Sequence, residues 1–421
     1  MLVKNLRKQG LIYFQRCFLN SLQRNYSTTL PLTLFTDEEL AIKNQIAKIA
    51  AETIAPYVKK MEKEGKIANE VMESLLNNGL MGMEAPAEFG GSEFSFITTI
   101  LAIEEIAKVD PSVAALVDIH NTLVVRFLKI VGNQAQKEKY LRIVATKGAG
   151  SFCLSEPNSG SDAFALKTTA KLVGDKYVLN GTKMWISNSD IAEVYIVMAN
   201  AAPEKGYKGI TCFIVERDNP GLTVGKKEDK LGIKASGTCV LHFDNCEVPK
   251  EDVLGEVGHG YKYAIQYLNE GRIGIGAQMI GIAQGALNAT IPYMFERKQF
   301  NQKLFYFQTV QHQISRLITE LESARLLVYN AARLVDVKQP VVKEAAMAKY
   351  YSSEVAGKVT SECIDLMGGV GYTTDFPQEK FFRDAKIGTI YEGTTNMMLH
   401  TISKCIEKEI NVSIVNMIDY S

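Results

Sequence analysis

Residues 152–162 read FCLSEPNSGSD. Phe152, Cys153 and Leu154 are apolar and suit a strand, and from Ser155 onward the residues are small, polar or turn-forming. A strand running into such a loop presents backbone N–H groups and hydroxyls to a polar ligand, or simply makes a turn-rich connection. Its glycine spacing matches neither a P-loop nor a GxGxxG fingerprint. The stretch decides the fold because the texture of the chain changes there.

Upstream, residues 36 to about 150 carry helical signals. Thr36 with Glu39 three residues on forms a capping box, and Ile42, Ile46, Ile49 and Ile54 follow at helical spacing. Asn77-Asn78-Gly79 ends a helix, 84–92 (EAPAEFGGS) is a loop, and 96–109 is an apolar helix. Asp110-Pro111-Ser112 breaks that helix and starts the next, and 136–144 closes the region. Downstream come short alternating segments at 167–172, 176–179, 193–198, 211–216, 222–225 and 238–243. Gly174-Asp175, Asn180-Gly181 and Asn219-Pro220-Gly221 read as turns between them, and the β region ends near Pro249. From 261 to 409 the helical period returns, with long runs at 309–335 and 340–367. The order predicts a mainly α protein with a central β domain. The expected divisions are 1–26, 31–150, 151–260, 261–410 and a tail at 411–421, and 421 residues is too long for one ordinary core.

Composition narrows the function. The chain is 46% apolar and 22% charged, and it has no stretch of about 20 apolar residues to span a membrane. Zero net charge argues against nucleic acid. Seven scattered cysteines without a CxxC pair read as reduced thiols, and five histidines without metal spacing predict no metal. Residues 1–26 hold five basic residues and no acid among apolar ones, which reads as a mitochondrial targeting segment cleaved near 24–27 (RNYS), or as a basic tail. Without it the chain carries about five net negative charges.

Candidate site residues cluster in four further places. Trp185, the sole tryptophan, lies in MWISN with Ile186 and Ser187, and is either a cofactor platform or a core residue. Arg297 and Phe300, with Gln308 beyond, put a cation, an aromatic and an amide at a helix break. Gly368 and Gly369 open a glycine-rich stop that cradles a phosphate or only reverses the chain. In 391–396 (YEGTTN), Glu392 falls on a turn between a short helix at 377–386 and one capped by Thr394 or Thr395, with apolar residues at Met398, Ile402 and Ile406.

From about 31 to 409 the chain resembles the acyl-CoA dehydrogenases. FCLSEPNSGSD, KMWISN, NEGR, ERKQFNQKLFYFQ, MGGVGY and FRDAKIGTIYEGTTN all have counterparts there, in that order. SFCLSE, GYKGIT, GHGYKYAI, LNEGRIGI and RDAKIGTIYEG point to its mitochondrial short/branched-chain members. The resemblance implies an N-terminal helical domain, a middle β-barrel domain, a C-terminal four-helix bundle and a homotetramer. It implies FAD, with Phe152, Cys153, Leu154, Ser155 and Ser161 along the flavin, Trp185 and Ile186 packed on it, and Ser187 near N5. Thr394, Thr395 and Asn396 also touch FAD by resemblance. Arg297, Phe300, Gln308, Asp365, Leu366, Met367, Gly368 and Gly369 reach the FAD of a neighbouring subunit. Ser161, Tyr207, Tyr261, Asn269, Glu270, Gly271 and Arg272 line the acyl-CoA side.

By the same resemblance Glu392 is the base that takes the α-proton of the thioester while hydride passes to flavin N5. Burial should raise its pKa, and its own backbone N–H should help to hold the enolate oxygen. Electrons would go on to electron-transfer flavoprotein in the mitochondrial matrix, in branched-chain (isoleucine) and fatty acid catabolism, with 2-methylbutyryl-CoA as the expected substrate. Straight short-chain substrates, or a non-catalytic flavin-binding scaffold, are the alternatives. Gly271 stands where isovaleryl and long-chain relatives carry their base, and Asp365 where relatives have Gln or Glu.

Overall fold

The structure, a computed structural model, describes residues 31–418, with side chains described to 411. The basic segment 1–26 and its expected cleavage site lie outside the described residues.

The first helix, α1 (Asp37–Ile49), opens on the expected capping box. Thr36 Oγ1 accepts from Glu39 N at 3.1 Å, and Glu39 Oε2 accepts from Thr36 N at 3.0 Å. The apolar helix α2 (Phe96–Ala107) is buried along its whole length, so it must lie between layers. It packs on α1, on α4 (Gly260–Glu296) and on α5 (Gln308–Asp336). It stops two residues before the predicted end because Asp110 caps the next helix, α3 (Pro111–Asp118), accepting from Ser112 N at 2.8 Å and Val113 N at 2.9 Å. A π-helical stretch, Ile119–Val125, continues α3.

The β region is one eight-stranded sheet, ordered β6-β7-β3-β2-β4-β5-β8, with β1 pairing β4 in parallel. The strands are β1 Ala149–Cys153, β2 Thr169–Val173, β3 Lys176–Ser187, β4 Ala192–Asn200, β5 Ile210–Glu216, β6 Leu222–Lys227, β7 Thr238–Pro249 and β8 Val253–Leu254. The turns at Gly174-Asp175 and Asn219-Pro220-Gly221 fall between strands as expected. Asn180-Gly181 does not, and β3 runs straight through it. A Cβ on Gly181 would sit 2.4 Å from Thr168 Oγ1, so the glycine answers a close crossing of chains and a bulge against β7, not a reversal.

The C-terminal helices are α4, α5, α6 (Val342–Met367), α7 (Gln378–Ala385) and α8 (Thr395–Ile418). Helix α4, 37 residues long, touches α2, α3, α5, α6 and α7. Positions 271, 274, 278, 281 and 285 form one stripe along it, filled by four glycines and Gln278. Cβ atoms on Gly281 and Gly285 would each lie 2.5 Å from a backbone oxygen, Glu104 O and Lys108 O respectively. The glycines therefore let the N-terminal helices approach the α4 backbone directly.

Gly281→Val is expected to lower stability by about 1–3 kcal/mol through overpacking. Gly357→Ala on α6, whose added Cβ meets nothing within 4 Å, should be neutral or stabilising by up to ~1 kcal/mol. Thermal unfolding of the two variants checks the contrast.

Candidate active site

Glu392 sits on the turn expected for it, between the 3₁₀ turn Lys386–Thr389 and α8. Thr394 is the residue that caps α8, its Oγ1 accepting from Met397 N at 3.3 Å. Glu392 and Gly393 both have left-handed backbones, φ 51° and 99°. Glycine takes such a conformation freely, whereas a glutamate must be held in it. Arg272 Nε donates to Glu392 O at 3.2 Å, and Asn269 Oδ1 steadies Arg272 Nη1 at 2.7 Å. Lys349 Nζ on α6 donates to Gly393 O, and the Tyr391 hydroxyl donates to Gln278 Oε1 on α4. Three successive residues of the turn are thus tied to α4 and α6.

Both cations spend hydrogen bonds on carbonyls, and the carboxyl is left alone. Glu392 as a residue keeps some surface open, but its Oε2 is sealed from solvent and has no partner. A Cβ on Gly271 would lie 3.5 Å from that Oε2 and 2.9 Å from Leu123 Cδ2. Burial pushes the Glu392 carboxyl up to about 7, against the pull of Arg272 and Lys349. Lys349 is brought down to about 8, mainly by burial, with Glu392 opposing and Arg272 adding to the fall. The result is a carboxylate basic enough to take a proton near neutral pH.

The loop after β1 is fastened by a buried pair that sequence reasoning did not single out. Lys183 Nζ donates to Leu154 O at 2.9 Å and to Glu156 Oε1 at 2.8 Å. Glu156 also accepts from the backbone N–H of Lys167 at 2.6 Å and of Thr168 at 3.1 Å. An acid inside a small-residue loop, and a lysine two residues before the tryptophan, were the available signals. With that loop pinned, Phe152, Cys153 and Leu154 point into the core, Ser155 is half-buried and Ser161 is exposed. A register shift between Lys183 and Ile186 brackets Trp185, whose φ is 62° and whose side chain is 55% exposed. The bulge turns the indole out of the sheet while Ile186 stays buried. Ser187 is partly open and its carbonyl accepts from Ser151 Oγ at 2.8 Å. Phe152 and Leu154 share a core with Leu123, which faces Gly271 and so links this loop to the Glu392 turn.

Tyr207 and Tyr261 meet edge to face at 4.9 Å, and Tyr261 lines a pocket of about 220 Å³ with Lys205, Lys208 and His259. Asn269, Gly271 and Arg272 are at the Glu392 turn. Glu270 is not directed there: it accepts from Arg126 Nε at 2.5 Å, and Arg126 also pairs with buried Glu84. Thr394, Thr395 and Asn396 border a separate cleft of about 580 Å³ beside α6. Arg297, Phe300 and Gln308 lie at the opposite end of the helices, near where α6 ends in Asp365, Leu366 and Met367 and Gly368 and Gly369 follow. Gly271 and Arg297 are about 40 Å apart along α4 at 1.5 Å per residue. Among the described residues no cluster of three His, Cys, Asp or Glu side chains could hold a metal, and no helix is long and apolar enough to cross a membrane.

Two outcomes are expected. Lys183→Met strands a buried carboxylate and should cost about 3–5 kcal/mol, read as a lower urea midpoint. Glu392→Gln removes a carboxyl whose folded pKa is raised, so the wild type loses stability as pH climbs from the unfolded value towards about 7. The variant should match the wild type near pH 4 and exceed it by about 1–3 kcal/mol at pH 8 in denaturant titrations.

Family models for the acyl-CoA dehydrogenase N-terminal, middle and C-terminal domains match residues 36–148, 151–246 and 258–406. The short/branched chain specific acyl-CoA dehydrogenase, mitochondrial, of Bos taurus is 56% identical over 379 residues, covering 90% of this chain and 88% of that one. The structure of butyryl-CoA dehydrogenase from Megasphaera elsdenii superposes with a TM-score of 0.87 at 38% identity, covering 89% of this chain and 99% of the other. An acyl-CoA dehydrogenase from Bacillus anthracis, complexed with FAD, superposes at 0.83 and 29% identity, covering 90% and 68%. With three consecutive domain models matched and more than half the residues shared over nine-tenths of its length, the chain belongs to the acyl-CoA dehydrogenase family of oxidoreductases.

Proposed function

We propose that the protein oxidises short, branched acyl-CoA thioesters to their 2-enoyl forms, with 2-methylbutyryl-CoA the preferred substrate, and that Glu392 is the base. The observation that carries this is the sealed, partnerless Oε2 of Glu392, lodged against a glycine that lets it approach the α4 backbone. The out-turned Trp185 and the open hydroxyls of Ser155 and Ser161 suit a large planar group such as FAD, and the FAD-bound family member supports the same cofactor. When bound, the flavin supplies the acceptor for the β-hydride.

The chain's own residues do the rest. Tyr207 and Tyr261 flank the entrance taken by the thioester arm. Arg272 and Lys349 fix the turn so that Oε2 meets the α-C–H. The left-handed turn leaves the Glu392 N–H to donate to the thioester oxygen as charge builds there. Oε2 then holds the α-proton, at a carboxyl whose basicity burial has raised. Gly271 makes room for the branch, a difference of one methyl group that is worth only about 1–3 kcal/mol.

Arg297, Phe300, Gln308 and the 365–369 segment lie at the far end of the helices, and by the family resemblance they reach the cofactor of a neighbouring protomer in a homotetramer. The near relative's name supports a mitochondrial enzyme; the matrix, electron-transfer flavoprotein as acceptor, and a place in isoleucine and fatty acid catabolism rest on the family resemblance alone.

Anaerobic addition of acyl-CoAs to the purified protein tests the reading through loss of flavin absorbance. Bleaching should be fastest with 2-methylbutyryl-CoA, should fall at least 100-fold in Glu392→Gln, and should show an acid limb near pH 7. Faster bleaching by butyryl-CoA would move the preference to straight chains, and normal bleaching by Glu392→Gln would remove Glu392 as the base.

A further inference from the structure

A second buried carboxyl stands behind the first. Asp118, the last residue of α3, is 1% exposed. Its Oδ1 accepts from Thr122 Oγ1 at 3.1 Å, and its Oδ2 has no partner. The group packs on bare α4 backbone: a Cβ on Gly274 would lie 1.9 Å from Oδ1 and 3.0 Å from Oδ2. Gly274 is one turn beyond Gly271, whose own Cβ position is 3.5 Å from Glu392 Oε2. Two carboxyl groups thus occupy adjacent glycine notches on one face of α4, each with one orphan oxygen.

Their surroundings differ. Glu392 is faced by Arg272 from α4 and by Lys349 from α6. Among the described residues no cation compensates Asp118: the groups acting on it are Glu392 and the Thr122 hydroxyl. The other titratable groups nearby are engaged elsewhere. Glu104 and Glu105 on α2 pair with Arg325 and Lys108, and Asp384 on α7 pairs with Lys380. Tyr391, beside both carboxyls, donates its hydroxyl hydrogen bond to Gln278 Oε1. Two like charges in one apolar site cannot both persist, and the proton goes to the carboxyl without a cation. Burial, with the Glu392 charge added, drives the Asp118 carboxyl well above its ordinary range.

We propose that Asp118 is a positioning residue for the base: it stays protonated at neutral pH and donates from Oδ2 towards Glu392 Oε2, directly or through one water, so that the pair carries a single negative charge. Its bond would give the orphan Oε2 a polar anchor that sets the direction of the carboxylate. The inference rests on Glu392 being the base, and the test separates the two.

The measurements are the pH profile of anaerobic bleaching and the infrared difference spectrum of the holoenzyme, each on Asp118→Asn, Asp118→Val and Glu392→Gln, with flavin content as the folding control. Asp118→Asn keeps a donor of the same shape and should leave the acid limb within about 0.3 pH units of wild type. Asp118→Val removes the donor and should raise the limb by about one unit or more, the size of a hydrogen bond to a charged group, with little change in KM. The carbonyl stretch of a protonated acid should be present in wild type and Glu392→Gln and lost in Asp118→Asn. A limb that drops by a unit in Asp118→Asn would show that Asp118 was an anion and overturn the proposal. A limb unmoved in Asp118→Val, or no protonated-acid band lost in Asp118→Asn, would overturn it as well. Undiminished turnover by Glu392→Gln would instead defeat the assignment of the base, while the infrared band would still decide whether Asp118 holds a proton.

Discussion

Along one glycine stripe, helix α4 meets its neighbours without side chains of its own in between. Along the stripe 271, 274, 281 and 285, glycine removes the Cβ layer, and other residues come to within contact of the helix backbone. Dense packing leaves no slack for a methyl group at such a crossing. At the far end this seats α2 on the bundle; at the near end it makes room for two carboxyls. The same sequence feature that joins the helical layers therefore also shapes the site.

Electrostatics at the site follow from what the cations are bonded to. Arg272 and Lys349 are close enough to temper the Glu392 charge, yet both give hydrogen bonds to carbonyls of the strained turn. A direct salt bridge would have produced an ordinary, weakly basic carboxylate. Here burial raises the pKa, and the cations limit the rise while holding the backbone that aims the group. The Lys183–Glu156 pair works in the other direction, joining two buried ions completely so that the loop beside Trp185 has one conformation.

Much of this was legible in the chain. The capping box at Thr36, the Asp110 cap and the Glu392 turn all follow from local rules, because each depends on residues within a few positions of one another. The α, β, α order followed from periodicity. Asn180-Gly181 misled for a physical reason: glycine serves a turn and a close crossing equally well, and the crossing partner, Thr168, is thirteen positions from Gly181 in sequence. The site was legible as motifs and not as geometry. Nothing near Glu270 in sequence announces that Arg126 will claim it, and nothing in α3 marks Asp118 as a neighbour of residue 392, because both relations exist only after distant helices pack.

The glycine at 271 also says something about how such a centre can change over generations. The Cβ direction at 271 points at Leu123 Cδ2, 2.9 Å away, and at the carboxyl of 392, 3.5 Å away. The proposed proton acceptor thus occupies a location in space that two segments, over a hundred positions apart, can each reach. Either segment can supply the acid and the other the void. Exchanging those roles would take two substitutions, with the Leu123 side chain giving way at 271, while the turn and the helical frame stand as they are.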